Sequence, residues 1–419
     1  MELYERVLKG LEERRNNLLE GGINSIPSPF IRFNDDFIGI EKATYYCVTS
    51  VTKGGKSQFA SHVFMYTPLI YAYHNRDKVR VKILYFALEE TPERVMQRFM
   101  SHILYYLSKG KIRVSPRDLR SSKNDKPLSQ EVLDLLQTQE YKDMFKFFEE
   151  NVIFSSTANP TGIYKECKRY AEGRGVIHTK KAVYRGELGE LNETDSFDYY
   201  VPNDPGEYII PFIDHIGLID TERGMNLKQS MDKLSEYLAK YLRNNYGMSP
   251  VIIQQQSFEN ESNNNFVSGK IRPSAQGLGD SKYIARDCNI LLGLFSPFKF
   301  ELNEYKEYDI TKFRDNIRFL EVLVNRDGEM GGLCPLFFDG AVCDFQELPL
   351  PKDTEGLARV YSYLKYIRGV PQSSKVFFMS SRRKYLHRWK RLPIFARFKR
   401  KIKEKLNGKN SNSCKKWIW

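Results

Sequence analysis

The sequence lacks the features of several protein classes. No uninterrupted apolar run reaches the roughly 18–20 residues that a membrane-spanning helix needs. The first residues, Met1 to Arg6, are charged, and they lack the apolar stretch of a secretory signal. The six cysteines include no CxxC pair and the six histidines are dispersed, which argues against a zinc site or a disulfide framework. We therefore expect free thiols and a cytoplasmic protein.

Acidic residues are almost absent from residues 375–419. There 16 Lys and Arg stand against one acid, a local charge of +15; because the whole chain carries +13, residues 1–374 carry −2. Basic side chains alternate with aromatic ones, as at Arg388 and Trp389, a pattern that suits phosphate contact and base stacking. An amphipathic basic helix on an anionic membrane or a partner is one alternative. A solvated tail without a function is another.

The remainder has the composition of a folded domain, with 41% hydrophobic and 13% aromatic residues over the chain. From Tyr45 onward strands alternate with helices, which predicts a mostly parallel α/β sheet covered by helices on both faces. Residues 109–130 are charged and predict a loop. We expect a linker helix at 1–24, a domain at 25–350 with an inserted hairpin at 173–207, a helical extension at 351–374 and a basic tail at 375–419.

The linker helix is amphipathic. Tyr4, Val7, Leu8, Leu11 and Leu18 lie on one stripe, and two glycines follow the helix. A single helix cannot bury such a stripe by itself. We expect it to dock either on its own domain or on a neighbouring subunit.

A phosphate-binding loop follows the first strand of this pattern. The segment Ser50–Ser57 reads Ser-Val-Thr-Lys-Gly-Gly-Lys-Ser, with Ser50 where the strict motif has Gly. Gly54 and Gly55 allow backbone N–H groups to converge on phosphate oxygens at a helix N-terminus. Lys56 would then reach the β- and γ-phosphates of ATP, and the Ser57 hydroxyl would ligate Mg²⁺. A Gly-rich turn capped by serine is the alternative.

Two acids end strands of the pattern. Asp214 ends the apolar run that begins at Tyr208, in the crevice where parallel sheets bind ligands, and it can hold a Mg²⁺-bound water. Glu89 ends another strand, just before a helix capped by Thr91, and it can orient and deprotonate an attacking water. Each acid alone is also explained as the start of a loop or a helix.

Taken in order, these motifs make residues 25–348 resemble the ATPase half of the DnaB-type replicative helicases, a branch of the RecA-like P-loop superfamily. The stretch Leu88 to Arg98 resembles the family's second motif, with a Leu-Glu pair followed by a helix. Val251 to Gln256 resembles the strand that ends in a sensor glutamine. Arg272 to Asp287 and Val324 to Gly328 resemble the two later motifs. A compact chain of this kind is typical of phage-encoded relatives.

The resemblance implies a mechanism and a set of site residues. It implies a homo-hexamer that hydrolyses MgATP between subunits and moves 5′ to 3′ on single-stranded DNA, with a primase or loader as a further partner, in the host cytoplasm if the gene is a phage's. Glu89, the sensor Gln256 and the finger Arg326 would be catalytic, and Ser57 and Asp214 would hold the metal. The implied nucleotide-binding residues are Ser50, Gly54, Gly55, Lys56, Ser57 and Gln58. We expect Lys270, Arg272 and Lys282 to bind DNA in place of an arginine that the family usually carries.

Two departures from the family pattern keep other functions open. Val324 replaces the family's lysine beside the finger, and Gly279 stands where an arginine usually grips DNA. A RecA-like ATPase that binds DNA without unwinding it, as a recombination mediator or loader, is the first alternative. A nucleic-acid-binding scaffold with a vestigial ATPase is the second.

Overall fold

The computed structural model describes residues 3–185, 190–257, 271–279, 281 and 283–369. The chain divides into two compact units, one formed by Ser25–Lys352 and the other by Met1–Asn24 with Asp353–Trp419. Among the described residues, no helix has both the length and the apolar character needed to cross a membrane. The expected DNA-binding residues Lys270 and Lys282, and the basic tail, lie outside the described residues.

The described strands belong to the larger unit. In chain order they are β1 (Ser25–Pro27), β2 (Gly39–Glu41), β3 (Tyr46–Ser50), β4 (Arg80–Ala87), β5 (Val152–Ser155), β6 (Gly175–Arg185), β7 (Leu191–Pro202), β8 (Glu207–Asp214), β9 (Val251–Gln255), β10 (Ile290–Phe295), β11 (Glu304–Tyr305), β12 (Tyr308–Asp309), β13 (Ile317–Asn325), β14 (Leu333–Asp339) and β15 (Asp344–Glu347). Nine of them form one sheet, and the other six pair two by two.

The helices lie between these strands and at the two ends of the described chain. They are α1 (Leu3–Leu19), α2 (Lys56–Ser61), α3 (Thr67–His74), α4 (Pro92–Leu107), α5 (Pro116–Leu119), α6 (Gln130–Leu136), α7 (Gln139–Asn151), α8 (Pro160–Glu172), α9 (Leu227–Glu236), α10 (Asn244–Tyr246), α11 (Tyr283–Asp287), α12 (Ile310–Phe313) and α13 (Thr354–Ile367). Two π-helical turns interrupt longer helices: His62–Tyr66 joins α2 to α3, and Tyr237–Arg243 joins α9 to α10.

The nine-stranded sheet has the order β15-β14-β13-β10-β3-β9-β8-β4-β5. The five pairs from β10 to β5 are parallel, and the three pairs from β10 to β15 are antiparallel. The sheet is therefore mostly parallel with an antiparallel extension at one side, as the α/β prediction requires. The carboxyl ends of β3, β4, β8 and β9 meet at the same edge, which positions the candidate site.

Local sequence explains where several helices begin. Proline occupies the first position of α4 and of α8, where its missing N–H costs nothing. The Asn159 side chain accepts a hydrogen bond from Gly162 N at the start of α8. Asn226 and Gln229 form a reciprocal capping box at the start of α9. Thr91 precedes α4 as expected, but its side chain makes no capping hydrogen bond.

Helices cover the central sheet with apolar side chains. Leu234 and Leu238, from α9 and the π turn that follows it, share one core cluster with Ile213 of β8 and Ile252 of β9. Aromatic rings form a second layer: the fully buried Phe99 of α4 stacks on Phe148 of α7 with ring centroids 4.3 Å apart, and it also meets Tyr66. Stacked rings at such distances add stability beyond their burial.

Residues 108–151 differ most from the sequence-based expectation. We expected a loop over 109–130 and assigned no helix up to residue 150, whereas the structure has α5, α6 and α7 here. The buried apolar residues of α7 (Tyr141, Met144 and Phe148) lie three and four positions apart, and Phe145 and Phe147 are partly buried. This spacing is helical, but charged residues lie among the apolar ones in the sequence.

The expected hairpin before β8 is formed by β6 and β7, which pair antiparallel from Gly175↔Pro202 to Arg185↔Leu191. Val183, Tyr184 and Leu191 lie at its distal end and are exposed. Nearer its base, Ile177, Phe197 and Tyr200 pack against the core cluster, so only the distal end of the hairpin lies outside the core.

The smaller unit contains α1 and α13. The apolar stripe of α1 is exposed, with Tyr4 and Leu11 at 73% and 60%. In α13, Tyr363 and Leu364 are buried and Tyr361 is partly buried. The helix begins at Thr354, and the side chain of Asp353 caps it.

The aromatic layer generates a stability prediction. Phe99→Ala should lower the free energy of unfolding by about 3–5 kcal/mol, because it removes a fully buried ring and leaves a cavity beside Phe148. Urea unfolding followed by circular dichroism measures the change. Val183→Ala, on the exposed part of the hairpin, is the control and should stay within about 0.5 kcal/mol of the original protein. Equal effects of the two substitutions would contradict the assigned core.

Candidate active site

The loop between β3 and α2 curls back over the end of the sheet. Gly55 has φ 96°, a left-handed conformation that favours glycine, and it immediately precedes α2. At Gly54 a Cβ atom would lie 1.8 Å from Ser50 Oγ, so only glycine fits there without a shift. The loop thus brings its backbone N–H groups to the N-terminus of a helix, the geometry of an anion-binding site.

Lys56, Ser57 and Asp214 meet at the edge of the sheet. Ser57 Oγ donates a hydrogen bond of 3.0 Å to Asp214 Oδ1, which joins the first turn of α2 to the last residue of β8. Lys56 interacts electrostatically with Asp214 and Glu89. Glu89 is exposed and lies two residues after the end of β4, the strand that pairs with β8. The structure therefore brings these four predicted residues to one place.

Burial shifts the ionisation of two of these groups. Desolvation raises the pKa of Asp214 to about 6, although the Ser57 hydrogen bond and the charge of Lys56 oppose the shift. Desolvation also lowers the pKa of Lys56, against the attraction of Asp214 and Glu89. Both charged forms are held in a partly dry environment, and a bound metal and phosphate would relieve that cost.

The donor set of the pair fits a magnesium ion. Mg²⁺ prefers oxygen ligands and is commonly bound by a few protein oxygens together with substrate phosphates. A serine hydroxyl and a carboxylate 3.0 Å apart provide such oxygens beside the loop. The pKa of Asp214 is about 6, so its carboxylate is largely ionised at neutral pH. Protons then compete little with a metal ion for this ligand.

The two consecutive acids after β4 have different environments. Glu89 is exposed at the edge of the sheet, whereas Glu90 forms an ion pair with Arg98 and is mostly buried. The Arg98 side chain, which is one quarter exposed, belongs to the next turns of α4. The pair leaves Glu89 as the acid directed to the candidate site, since Glu90 is already engaged.

Gln256 and its neighbour Gln255 contact different parts of the site. The Gln256 side chain is buried, and its amide donates to Thr49 Oγ1 at 2.9 Å and to the carbonyl oxygen of Ser274 at 3.1 Å. The amide of Gln255 instead donates to the hydroxyl of Thr52 in the phosphate loop. Gln256 therefore links the end of β3 to the segment that contains Ser274, whereas Gln255 contacts the phosphate loop.

Arg318 is a site residue that the sequence analysis missed. It is 1% exposed, and its Nε donates to the carbonyl oxygen of Gly54 at 2.7 Å. The guanidinium also bonds Asp315 and stacks 4.6 Å from the centre of the Phe338 ring. A buried arginine on β13 thus holds the backbone of the phosphate loop by a hydrogen bond. An arginine at the second position of a largely apolar strand was the available signal.

A cavity of about 500 Å³ adjoins the loop beside Gln58. Its wall includes Glu90, Asp118 and five basic side chains: Arg94, Arg98, Arg117, Arg120 and Lys123. Gln58 Oε1 is buried there without a hydrogen-bond partner among the described residues. Positive side chains beside an uncommitted amide suit a ligand that carries both phosphates and hydrogen-bonding groups.

The remaining predicted residues lie farther along the chain. Arg326 follows β13 and donates to the carbonyl oxygens of Arg286 and Cys288, at the end of α11. Arg272 is about half exposed and pairs with Glu321 at 3.5 Å. Neither arginine has a contact with Lys56 or Asp214 in the structure's hydrogen bonds and ion pairs between described residues.

Comparison with known proteins gives structural likeness but no sequence match. No protein-family model matches the chain, and neither does any curated protein sequence. Among solved structures, one described as an ATPase domain is similar with a TM-score of 0.56 and 15% identity, over 83% of this chain and 99% of that one. A DnaB-like replicative helicase, described with its interactions with primase, has a TM-score of 0.55 and 15% identity, over 82% of this chain and 66% of that one.

A structural likeness at 15% sequence identity gives information on the fold of this chain and not on its activity. The agreement covers 83% of this chain and nearly the whole of the solved ATPase domain. Together with the loop, the strand order and the helices on both faces, it establishes the architecture. The chain has the RecA-like fold of DnaB-type helicase ATPase domains.

Proposed function

We propose that this chain is an ATP-dependent replicative DNA helicase that couples MgATP hydrolysis at subunit interfaces to translocation on single-stranded DNA. The observation that carries the proposal is the 3.0 Å contact between Ser57 and Asp214, beside Lys56 and Glu89, at the end of the phosphate loop. The likeness to DnaB-type ATPase domains supports the choice of a helicase among the many RecA-like ATPases.

The residues of the site divide the work of hydrolysis. Lys56 and the loop N–H groups bind the phosphates, and Ser57 and Asp214 hold Mg²⁺, which when bound supplies positive charge to the phosphate oxygens. Glu89 is exposed at the edge where a water would attack, and it orients that water and accepts its proton. Arg318 keeps the loop in place through Gly54.

Subunit contact completes the site in this proposal. Arg326 reaches a neighbouring subunit of a homo-hexamer and neutralises charge on the γ-phosphoryl group, an effect on the order of 10³–10⁵ in rate. Within one chain its guanidinium binds the carbonyl oxygens of Arg286 and Cys288. These contacts must be exchanged for the phosphate when subunits assemble, so the isolated chain hydrolyses ATP slowly.

Gln256 connects the nucleotide to the DNA in this proposal. Its amide bonds both Thr49, at the base of the phosphate loop, and Ser274. Through these bonds, the release of phosphate would change the position of segment 272–279. Arg272 in this segment, together with Lys270 and Lys282 nearby in the sequence, binds the phosphate backbone of the DNA strand. We further propose that the protein moves from 5′ to 3′ and has a primase or loader as a partner. We also propose that a phage gene encodes it and that it acts in the cytoplasm of the host.

A scaffold with a vestigial ATPase is the second candidate. It is favoured by the internal contacts of Arg326, because its guanidinium must leave the carbonyl oxygens of Arg286 and Cys288 in its own chain before it can serve catalysis. A mediator or loader that binds DNA without unwinding it shares the ATPase site. The first experiment below separates all three.

Lys56→Ala should abolish both ATP turnover and fork unwinding, since it removes the cation that binds the phosphates. The assay measures phosphate release with and without single-stranded DNA, and unwinding of a labelled fork, at several salt concentrations. Lys142→Ala, an exposed lysine on α7, is the control and should match the original protein. Turnover that is stimulated by DNA without unwinding would indicate the mediator, and no turnover in the original protein would indicate the scaffold.

Asp214→Asn should make the protein more stable at pH 7 and at the same time inactive. The folded-state pKa of Asp214 is about 6, above the ordinary aspartate value of 3.8, so the folded protein holds the proton more tightly and loses stability as pH rises through this window. The neutral amide should therefore raise the free energy of unfolding at pH 7, by up to about 3 kcal/mol, while it removes Mg²⁺-dependent turnover.

Urea unfolding at pH 5 and pH 7, without metal or nucleotide, measures this gain. The advantage of Asp214→Asn should shrink at the lower pH, where Asp214 is itself mostly protonated. Asp195→Asn, on the exposed hairpin, is the control. A variant that is less stable at pH 7 than the original would show that the carboxylate is not held at an energetic cost.

Mixtures of inactive variants test the shared site. Arg326→Ala and Glu89→Gln should each lose most turnover, but a random equal mixture should recover about a quarter of the interfaces, because some then combine an intact Glu89 with an intact Arg326. Phosphate release after co-assembly measures the recovery. Arg326→Ala mixed with Lys56→Ala should recover as well, whereas Glu89→Gln mixed with Lys56→Ala should not. Recovery in neither of the first two mixtures would contradict catalysis between subunits.

A further inference from the structure

We propose that His62, His102 and Asp344 bind a divalent transition-metal ion, with Zn²⁺ the best match, at a buried site separate from the nucleotide. Each residue offers one donor atom, and the three atoms lie within 4.8 Å of one another. The dispersed histidines of the sequence argued against such a site. The fold assembles it from α4, β15 and the π turn after α2.

Burial and spacing suit metal coordination. His62, His102 and Asp344 are 5%, 2% and 1% exposed, and one nitrogen of each imidazole lies within 4.8 Å of the other and of an Asp344 carboxylate oxygen. Zinc bonds of 2.0–2.2 Å in a tetrahedral arrangement place ligand atoms about 3.4 Å apart, so small side-chain rotations would close the site. Two imidazoles and one carboxylate are a common three-residue zinc set.

Surrounding groups hold both imidazole rings. Successive carbonyl oxygens of the turn before β15 contact the rings: Cys343 O lies 3.2 Å from His62 Nδ1, and Val342 O lies 3.1 Å from His102 Nδ1. Backbone carbonyls and amides in such positions orient metal ligands in known sites. The Asp344 carboxylate is oriented in the same way, because Gln346 Nε2 donates to its Oδ2 at 2.6 Å.

A second observation points to a polar occupant. Gln346 Oε1 is buried and has no hydrogen-bond partner among the described residues, although the other atom of the same amide binds Asp344. Buried acceptors of this kind usually face a donor such as a bound water. A water on the metal would provide that donor and a fourth ligand.

The backbone also departs from regular helix where the site begins. The helix that starts at Lys56 changes to a π turn at His62–Tyr66, and Thr67 Oγ1 donates to the carbonyl oxygen of His62 at 2.7 Å. Single π turns inside α-helices occur often at functional sites, because they redirect one side chain. Here the redirected region carries His62 toward His102 and Asp344.

The position of the site gives the metal a structural role. His62 lies six residues after Lys56 on the continuous helix, and the turn that leads to Asp344 contains Gly340, beside Gln58. A metal that joins this helix to α4 and β15 would fix the elements under the phosphate loop. Its +2 charge would also offset the buried carboxylate, which otherwise costs free energy.

Metal titration of the full-length protein tests the proposal. After EDTA treatment and exchange into metal-free buffer with Mg²⁺ and no nucleotide, the chain should bind one Zn²⁺, measured by competition with a chromophoric chelator. Binding should raise Tm by about 3 °C at a hundredfold excess over Kd. Co²⁺ should give the visible absorption of a nitrogen- and oxygen-ligated tetrahedral ion, and one equivalent of Zn²⁺ should remove it.

Variants assign the ligands. His62→Gln, His102→Gln and Asp344→Asn should each weaken Zn²⁺ binding at least tenfold, whereas His178→Gln, on the exposed hairpin where the ring stacks on Tyr199, should bind as the original does. Unchanged binding in His62→Gln and His102→Gln would place the ion elsewhere and overturn the proposal. If those variants do not fold, the original protein decides: no stoichiometric Zn²⁺ and no Co²⁺ absorption would overturn it as well.

Discussion

The hydrogen bond between Ser57 and Asp214 depends on the register of the parallel strands. β9 lies between β3 and β8, so the loop must cross two strand spacings, about 10 Å, before α2 returns Ser57 to the end of β8. A slip of one residue in β8 would turn Asp214 to the opposite face. Successive residues of β8 and β9 are buried on both faces of the sheet, so such a slip would require the side chains packed against both faces to rearrange.

This arrangement is held at a cost. Asp214 is 3% exposed and its pKa rises to about 6, while burial lowers the pKa of Lys56. Such shifts favour the neutral forms, so burial of the charged forms costs free energy. A bound metal and triphosphate would reduce this cost. Arg318, buried beneath the loop, contributes the opposite effect: its bond to Gly54 keeps the backbone in a conformation that binding does not have to create.

Much of the fold and the four central site residues could be predicted from the sequence. Asp214 and Glu89 were recognisable because apolar runs precede them, and the glycines identify the loop. Arg318 was not, since its role depends on the antiparallel pairing of β13 with β10 and β14, which brings distant residues under the loop. His62, His102 and Asp344 were missed because the fold brings together residues that are far apart in the sequence. Helix α7 was missed because charged residues lie among its apolar ones.

The most direct measurement is a crystal structure of the chain with Mn²⁺ and a non-hydrolysable ATP analogue, in which anomalous scattering locates the metal. We expect Mn²⁺ in contact with Ser57 Oγ and with Asp214, directly or through one water, and Lys56 in contact with the terminal phosphates. A nucleotide bound away from the loop between β3 and α2, or a metal remote from Asp214, would contradict it.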